Sequence, residues 1–290
     1  MDVLSDAVAA ARAGRPHASR VIRKVPFADS IPAGEGAGFH LVLQGSCVLL
    51  GPDAEPAALA VGDVAFLPRA AAHRLTAGPA AQPGGTTVLL SGGYRLDRER
   101  AHPLLAELPE IMHLPAKVGR DPALHATVDL LGHELDGPPG PGGDAALPAL
   151  LDLLLLYILR AWLAERTGGW AAALGDPAVA AALRAVHADP ARPWTVEELG
   201  RRGGLSRAAF ARRFNALVGR PPLAYLTWWR LATAARLLRD TDTPLTAIAG
   251  QVGYGSEHAL AHAFKREYGL APGAYRRDAP GRTPPPAASR

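Results

Sequence analysis

Six residues of the segment from Ser206 to Tyr225 return 50 positions later: Ser206, Phe210, Phe214, Gly219, Pro222 and Tyr225 reappear as Ser256, Leu260, Phe264, Gly269, Pro272 and Tyr275. With one extra residue allowed in the second turn, Leu199 and Gly204 likewise match Ile248 and Gly253. A repeat of this length requires the same supersecondary unit twice, and composition does not produce it. In the second copy, the run Ile248 to Ser256 followed by Glu257 to Lys265 reads as helix, glycine turn, helix. Gly253 supplies the turn, Ser256 is placed to cap the second helix, and Leu260 and Phe264, four apart, face inward. Glu257, His258, Ala261, His262 and Lys265 are then left facing outward.

Charge divides the chain at about the same place. Residues 1–176 hold 14 Lys/Arg against 19 Asp/Glu, and residues 177–290 hold 17 against 8, so halves of −5 and +9 underlie the net +4. A basic module joined to an acidic one points to a polyanion partner for one half only. Arginine supplies nearly all of the positive charge, a bias that GC-rich coding also produces, so its abundance is no argument for nucleic-acid binding. Nearly half of the 290 residues are apolar, room for about two cored domains. There is no cationic, apolar leader, and the longest greasy run, Leu147 to Leu163, is broken by Asp152 and Arg160, so a soluble cytoplasmic protein without a membrane partner is expected. Cys47 is the single cysteine, which excludes an internal disulfide and reads as a small buried hydrophobe in a strand.

Taken in order, Asp2 to Arg12 reads as an amphipathic helix. Short apolar runs follow at Ser19–Ile22, Phe39–Gln44, Ser46–Leu50, Ala57–Val61, Val64–Leu67, His73–Thr76 and Thr86–Ser91, separated by turn residues, the pattern of an antiparallel sandwich or barrel. Asp121 to Leu135 is a helix, with His125 and His133 facing solvent, and Gly137 to Gly143 must break it. Ala145 to Arg166 is apolar nearly all round, so it needs cover on more than one side; the simplest second cover is the same helix of another subunit, and an internal helix of a monomer is the alternative. Residues 167–175 look like a linker. Asp176-Pro177 opens the basic module with a cap and a first-turn proline, Thr195 to Glu198 is a capping box, and Leu223 to Arg239 is one long helix between the two copies.

In the β region, Gly34 followed by His40, and Gly62 followed by Pro68 and His73, resemble the two motifs of the cupin barrel. Val42 stands where that family has a second histidine, Ser46 near its glutamate, and Ala70 at the glycine after the proline. Metal-binding cupins use three histidines and a carboxylate. With two of the four missing, no metal and no cofactor are assigned. His40 and His73 either line the barrel as satisfied polar groups or hydrogen-bond a small effector at its mouth, and the sequence does not separate the two.

From residue 177 on, the match is more specific. Ile248-Ala249, Val252-Gly253-Tyr254, Ser256, Phe264-Lys265, Gly269, Pro272 and Tyr275-Arg276 resemble the DNA-binding domain of the AraC/XylS transcriptional regulators, whose sensor domains are often cupin-like. Leu260 departs from a usual phenylalanine and His262 from a frequent arginine. The resemblance implies an α+β, multidomain bacterial regulator. Residues 1–172 would be a cupin-like antiparallel β-barrel with a helical extension, for effector sensing and dimerisation, 173–279 an all-α DNA-binding domain with two helix-turn-helix units, and 280–290 a disordered tail. It also implies sequence-specific double-stranded DNA, a small-molecule effector, a second copy of the chain and RNA polymerase as partners, and no enzymatic activity.

The DNA-binding residues carried over are Ser206, Arg207, Ala208, Ala211, Arg212 and Arg213 in the first copy, and Ser256, Glu257, His258, Ala261, His262, Lys265 and Arg266 in the second. Arg212, with a fork that can bridge two acceptors of guanine, is the expected base reader. Arg207, Arg213, Lys265 and Arg266 are expected on phosphates. Two rivals stand beside this reading. A metal-dependent cupin oxygenase or isomerase with an accessory helical domain would need the ligands that Val42 and Ser46 replace, and a non-specific nucleic-acid binder would not need a repeated recognition helix.

Overall fold

The computed structural model describes residues 2–52, 54–96, 102–116, 122–136 and 140–278. The tail at 280–290 and residues 137–139 of the break at 137–143 lie outside the described residues. The chain forms two compact units: Gly14–Ala101 with Leu105–Glu165, and Met1–Ala13 with His102–Leu104 and Arg166–Arg290. The N-terminal helix α1 (Val3–Ala11) and residues 102–104 therefore belong to the helical unit, although the sequence reading put them in a 1–172 domain.

The first unit is built from β1 (His17–Lys24), β2 (Ala28–Ile31), β3 (Ala37–Gln44), β4 (Cys47–Leu50), β5 (Ala57–Leu59), β6 (Val64–Leu67), β7 (His73–Ala77), β8 (Thr86–Tyr94) and β9 (Met112–Leu114). They form a five-stranded sheet, β1-β8-β3-β6-β9, and a four-stranded sheet, β2-β7-β4-β5, antiparallel throughout. Alternate residues of both sheets meet in one core: Val42, Leu67 and Leu89 from the first, Cys47, Leu49 and Leu75 from the second. Burial pushes the Cys47 thiol up to about 11, with the Asp63 charge as a lesser cause, so the cysteine is a packed hydrophobe. Ala70, where the cupin motif has glycine, sits at φ +40°, in the left-handed region. Its carbonyl accepts from the Gly34 N–H at 2.9 Å, which joins the two motif segments.

On its other face the larger sheet gathers Phe39, Phe66 and Tyr94. After the short turn α2 (Pro103–Ala106) come α3 (Pro122–Glu134) and α4 (Gly143–Ala164), which pack on one another. The Tyr94 hydroxyl donates to the Leu151 carbonyl at 2.7 Å. By length and composition alone α4 could cross a membrane, yet Leu151, Leu154, Leu155, Ile158, Leu159 and Trp162 are buried in this unit. Leu147, Leu150 and Leu156 are half-covered and Leu153 is exposed.

The helical unit continues with α5 (Gly169–Gly175), α6 (Pro177–Ala188), α7 (Val196–Arg202), α8 (Arg207–Val218), α9 (Pro222–Asp240), α10 (Leu245–Gln251), α11 (Glu257–Tyr268) and α12 (Pro272–Arg277). The stretch read as a linker holds α5, because Trp170 is buried against His102 and Tyr225. Asp176 caps α6 by accepting from the Ala178 and Val179 N–H groups, and Thr195 with Glu198 forms the capping box of α7. At 19 residues, α9 is about 28 Å long.

Candidate nucleic-acid interface

Two helix-turn-helix units stand in this half, α7–α8 and α10–α11, and an equivalent hydrogen bond closes each first helix, although the second turn is one residue longer. The Leu205 N–H donates to Gly200 O at 3.0 Å in the first, and Tyr254 N–H to Ala249 O at 2.8 Å in the second. Ser206 Oγ then accepts from the Ala209 N–H and Ser256 Oγ from the Ala259 N–H. Both second helices run 12 residues, end on left-handed glycines, Gly219 and Gly269, and are followed by a buried tyrosine, Tyr225 or Tyr275. Phe210 and Phe214 anchor α8, and Leu260 and Phe264 anchor α11, each at most 1% exposed, so departure of Leu260 from phenylalanine leaves the inward face apolar.

With the inward faces anchored, helical geometry decides what points away. Ser206, Arg207, Ala208 and Arg212 on the first helix are exposed, as are Ser256, His258, His262, Lys265 and Arg266 on the second. Ala211 and Ala261 lie half-buried at the middle of each face. Two residues of the expected set are engaged within the protein. Arg213 turns back to Asp176, its Nε 2.5 Å from Oδ2, so the carboxylate that caps α6 also fastens α8. Glu257 accepts from the Thr246 hydroxyl at 2.5 Å, closing α11 onto α10.

In the sheet unit the expected effector pair is brought together. His40 on β3 and His73 on β7 come from opposite sheets, and their Nε2 atoms lie 2.8 Å apart. His73 Nδ1–H donates to the Ala71 carbonyl, which leaves His73 Nε2 as acceptor. His40 Nε2–H therefore donates to it, and His40 Nδ1 accepts from the Ser91 hydroxyl at 2.8 Å. Burial, and secondly the neighbouring His73, hold His40 down to about 3. Both rings are satisfied and nearly buried, and Val42 is a core residue. Two histidines bonded to one another do not reproduce the four-ligand site of metal-binding cupins, and among the described residues no group of three or more His, Cys, Asp or Glu could hold a metal ion.

Comparison with known proteins agrees with both halves. Residues 2–164 match the cupin family and residues 199–278 a helix-turn-helix domain family. An AraC-like transcription regulator of Streptomyces antibioticus is 37% identical over 82% of this chain and 86% of its own length, and one of Streptomyces lividans is 38% identical over the same shares. The chain belongs to the AraC-like transcription regulators. The RCS-specific HTH-type transcriptional activator RclR of Escherichia coli is 32% identical over 82% of this chain and 83% of its own. Among solved structures, the DNA-binding domain of AdpA in complex with a target DNA is 36% identical, covering 35% of this chain and 91% of that one, with a TM-score of 0.33.

This AraC-like regulator is thus a DNA-binding transcription regulator with a cupin-like domain. What the sequence reading missed in its DNA-binding unit are the groups between the two reading helices. Arg230, halfway along α9, donates to the carbonyls of Pro190 at 2.7 Å and Arg192 at 2.9 Å. Gly253 presses on the same loop: at φ +79° it is in the left-handed region, and a Cβ there would come within 2.6 Å of the Ala191 oxygen. The loop between α6 and α7 is therefore clamped by the linking helix and by the turn of the second unit. Nothing in the spacing of Arg230 distinguishes it from a surface arginine; only its hydrogen bonds to the loop carbonyls show the clamp.

Proposed function

We propose that the regulator reads two successive major-groove segments with one chain, α8 in one and α11 in the next. The observation that carries this is the pair of equivalent helices, each Ser-capped and anchored by its inward aromatic or aliphatic face, presenting Arg212 in the first copy and His258 and His262 in the second. Arg212 is the base reader, bidentate to guanine; Ala208 and Ala211 offer apolar contact as to a thymine methyl. Arg207, Lys265 and Arg266 meet phosphates, Ser206 and Ser256 shape the helix starts against the backbone, and Ala261 lets the second helix approach closely. Arg213 and Glu257 act by fixing their helices in place.

Residues 14–165 sense a small-molecule effector in the barrel, which takes over the hydrogen bond that His40 and His73 otherwise make to one another, and the chain is no enzyme. The exposed and half-covered leucines of α4 are covered by the same helix of a second copy. Binding of effector shifts which arrangement of the DNA-binding units is favoured, by its differential affinity for the two states, and RNA polymerase is the downstream partner. Like its bacterial relatives, the regulator would act on DNA in the cytoplasm.

Selection of bound duplexes from a random pool, followed by a footprint, tests the reading. Two protected major-groove segments per subunit are expected, and protection of one alone would sink the two-unit reading. Replacing Arg212 with alanine should relax selectivity at one base pair by about 1–3 kcal/mol. Replacing His40 or His73 with alanine should remove the response to effector and leave DNA affinity unchanged.

A further inference from the structure

The two tyrosines that mark the repeat both lead to one helix, α1. In the first copy the Tyr225 hydroxyl lies 2.7 Å from His187 Nε2, and His187 Nδ1 lies 2.9 Å from Asp6 Oδ2 on α1. In the second, Arg239 reaches the Tyr275 hydroxyl with Nη1 at 3.5 Å and donates from Nη2 to the Ala10 carbonyl of α1 at 3.1 Å. Asp6 and Ala10 are four apart, one turn of the same helix face. Each tyrosine in turn sets its ring edge against the equivalent anchor of its own recognition helix: Tyr225 against Phe214 at 5.8 Å, Tyr275 against Phe264 at 5.2 Å. The same path, helix α1 to a polar relay to tyrosine to phenylalanine to recognition helix, is therefore built twice from one starting point.

Greasy packing alone does not need these groups. Val3, Leu4, Ala7, Val8, Ala10 and Ala11 already bury α1 against α6 and α9. An aspartate, a fully buried histidine and an arginine with an 8% exposed side chain are costly to place there, and what directional bonds add over apolar contact is a defined register. Ala10 also belongs to the last turn of α1, whose carbonyls lack helical partners and favour a cation.

We propose that α1 is a strut that sets the separation and rotation of the two recognition helices, with Asp6, His187 and Arg239 as positioning residues for the spacing between the two DNA sub-sites. The proposal rests on the two-unit reading above. One inserted base pair moves the sub-sites apart by about 3.4 Å and rotates them by about 35°, so a rigid two-headed reader discriminates spacing steeply.

The test uses the full chain, as wild type, Asp6→Asn and Arg239→Lys. Each is titrated with the selected duplex, with versions carrying one base pair more or fewer between the sub-sites, and with versions in which either sub-site is scrambled. Wild type should lose about tenfold in affinity for one inserted base pair. Each variant should flatten that preference at least about fivefold while binding the scrambled duplexes as wild type does. Variants with an unchanged spacing profile overturn the proposal, even if they melt earlier, since α1 would then only stabilise the fold. A uniform loss on every duplex overturns it equally. A wild type indifferent to scrambling of one sub-site refutes the two-unit reading itself, and the strut with it.

Discussion

Replacing Tyr225 with phenylalanine deletes one oxygen from the middle of a buried chain of hydrogen bonds, and the direction of every bond in that chain follows from its end. The Leu104 N–H donates to His102 Nδ1 at 3.1 Å, so the His102 proton is on Nε2 and is given to the Tyr225 oxygen at 2.8 Å. The tyrosine hydrogen is then free to go to His187 Nε2, and His187 Nδ1–H goes to Asp6. His102 is held neutral, well below the usual histidine value, by desolvation first and by His187 second. Tyr225→Phe leaves a donor on His102 and an acceptor on His187 without a partner, where exposures are 0% and 1%.

At about 1–3 kcal/mol for each of the two buried unsatisfied groups, the expected loss is roughly 2–6 kcal/mol. Tyr275 supplies the control, since the same ring there meets Arg239 at 3.5 Å, the outer limit of a hydrogen bond, and its change to phenylalanine should cost about 1 kcal/mol or less. Urea unfolding followed by fluorescence reads the effect directly, because Trp170, Trp228 and Trp229 surround His102. A midpoint lower by about 1 M or more at unchanged slope is expected for Tyr225→Phe. Equal, small losses for the two tyrosines would refute the relay.

The remaining predictions concern other links. His40 is held to about 3 and His102 is also lowered, so in the folded state both stay neutral while the unfolded chain takes up protons near 6.5. Stability is then full above pH 6.5 and falls as pH drops toward 3, by about 1.4 kcal/mol per pH unit for His40 and in the same direction for His102, measured as denaturation midpoints at pH 7 and 5. His40→Phe should flatten that dependence. Because Arg213 serves Asp176, Arg213→Ala should lower the melting temperature and leave the salt dependence of DNA binding unchanged, whereas Arg266→Ala should reduce the slope of log K against log salt by about 1. Ala70→Gly, at φ +40°, should stabilise the barrel by about 0.5 kcal/mol, the relief of left-handed strain less the added chain entropy, read as a small rise in melting temperature.

The fold was legible wherever chain neighbours decide it. Ser206, Asp176 and Thr195 cap the helices they precede, and Phe210 and Phe214 are buried at the spacing that puts them on one face, because caps and helical periodicity act within four residues. Strand β2, Ala-Asp-Ser-Ile, and strand β9, three residues long, escaped the reading, since both take their strand character from the β7 and β6 partners they pair with. Among the site residues, those left exposed on α8 and α11 were readable from the inward pattern. The ion pair of Arg213 with Asp176 and the hydrogen bond of Glu257 from Thr246 were not, as each partner lies outside its helix, 37 and 11 residues away.

By itself, then, the sequence determined two capped, glycine-turned helical readers on a basic half and a β-rich acidic half, because those signals are local and repeated. Only the tertiary structure decided that α1 and His102 join the DNA-binding unit. Asp6 meets His187 across 181 residues and His102 meets Tyr225 across 123. No periodicity spans such distances. A buried polar group must find a partner somewhere, and which one it finds is settled only when the chain has closed around it.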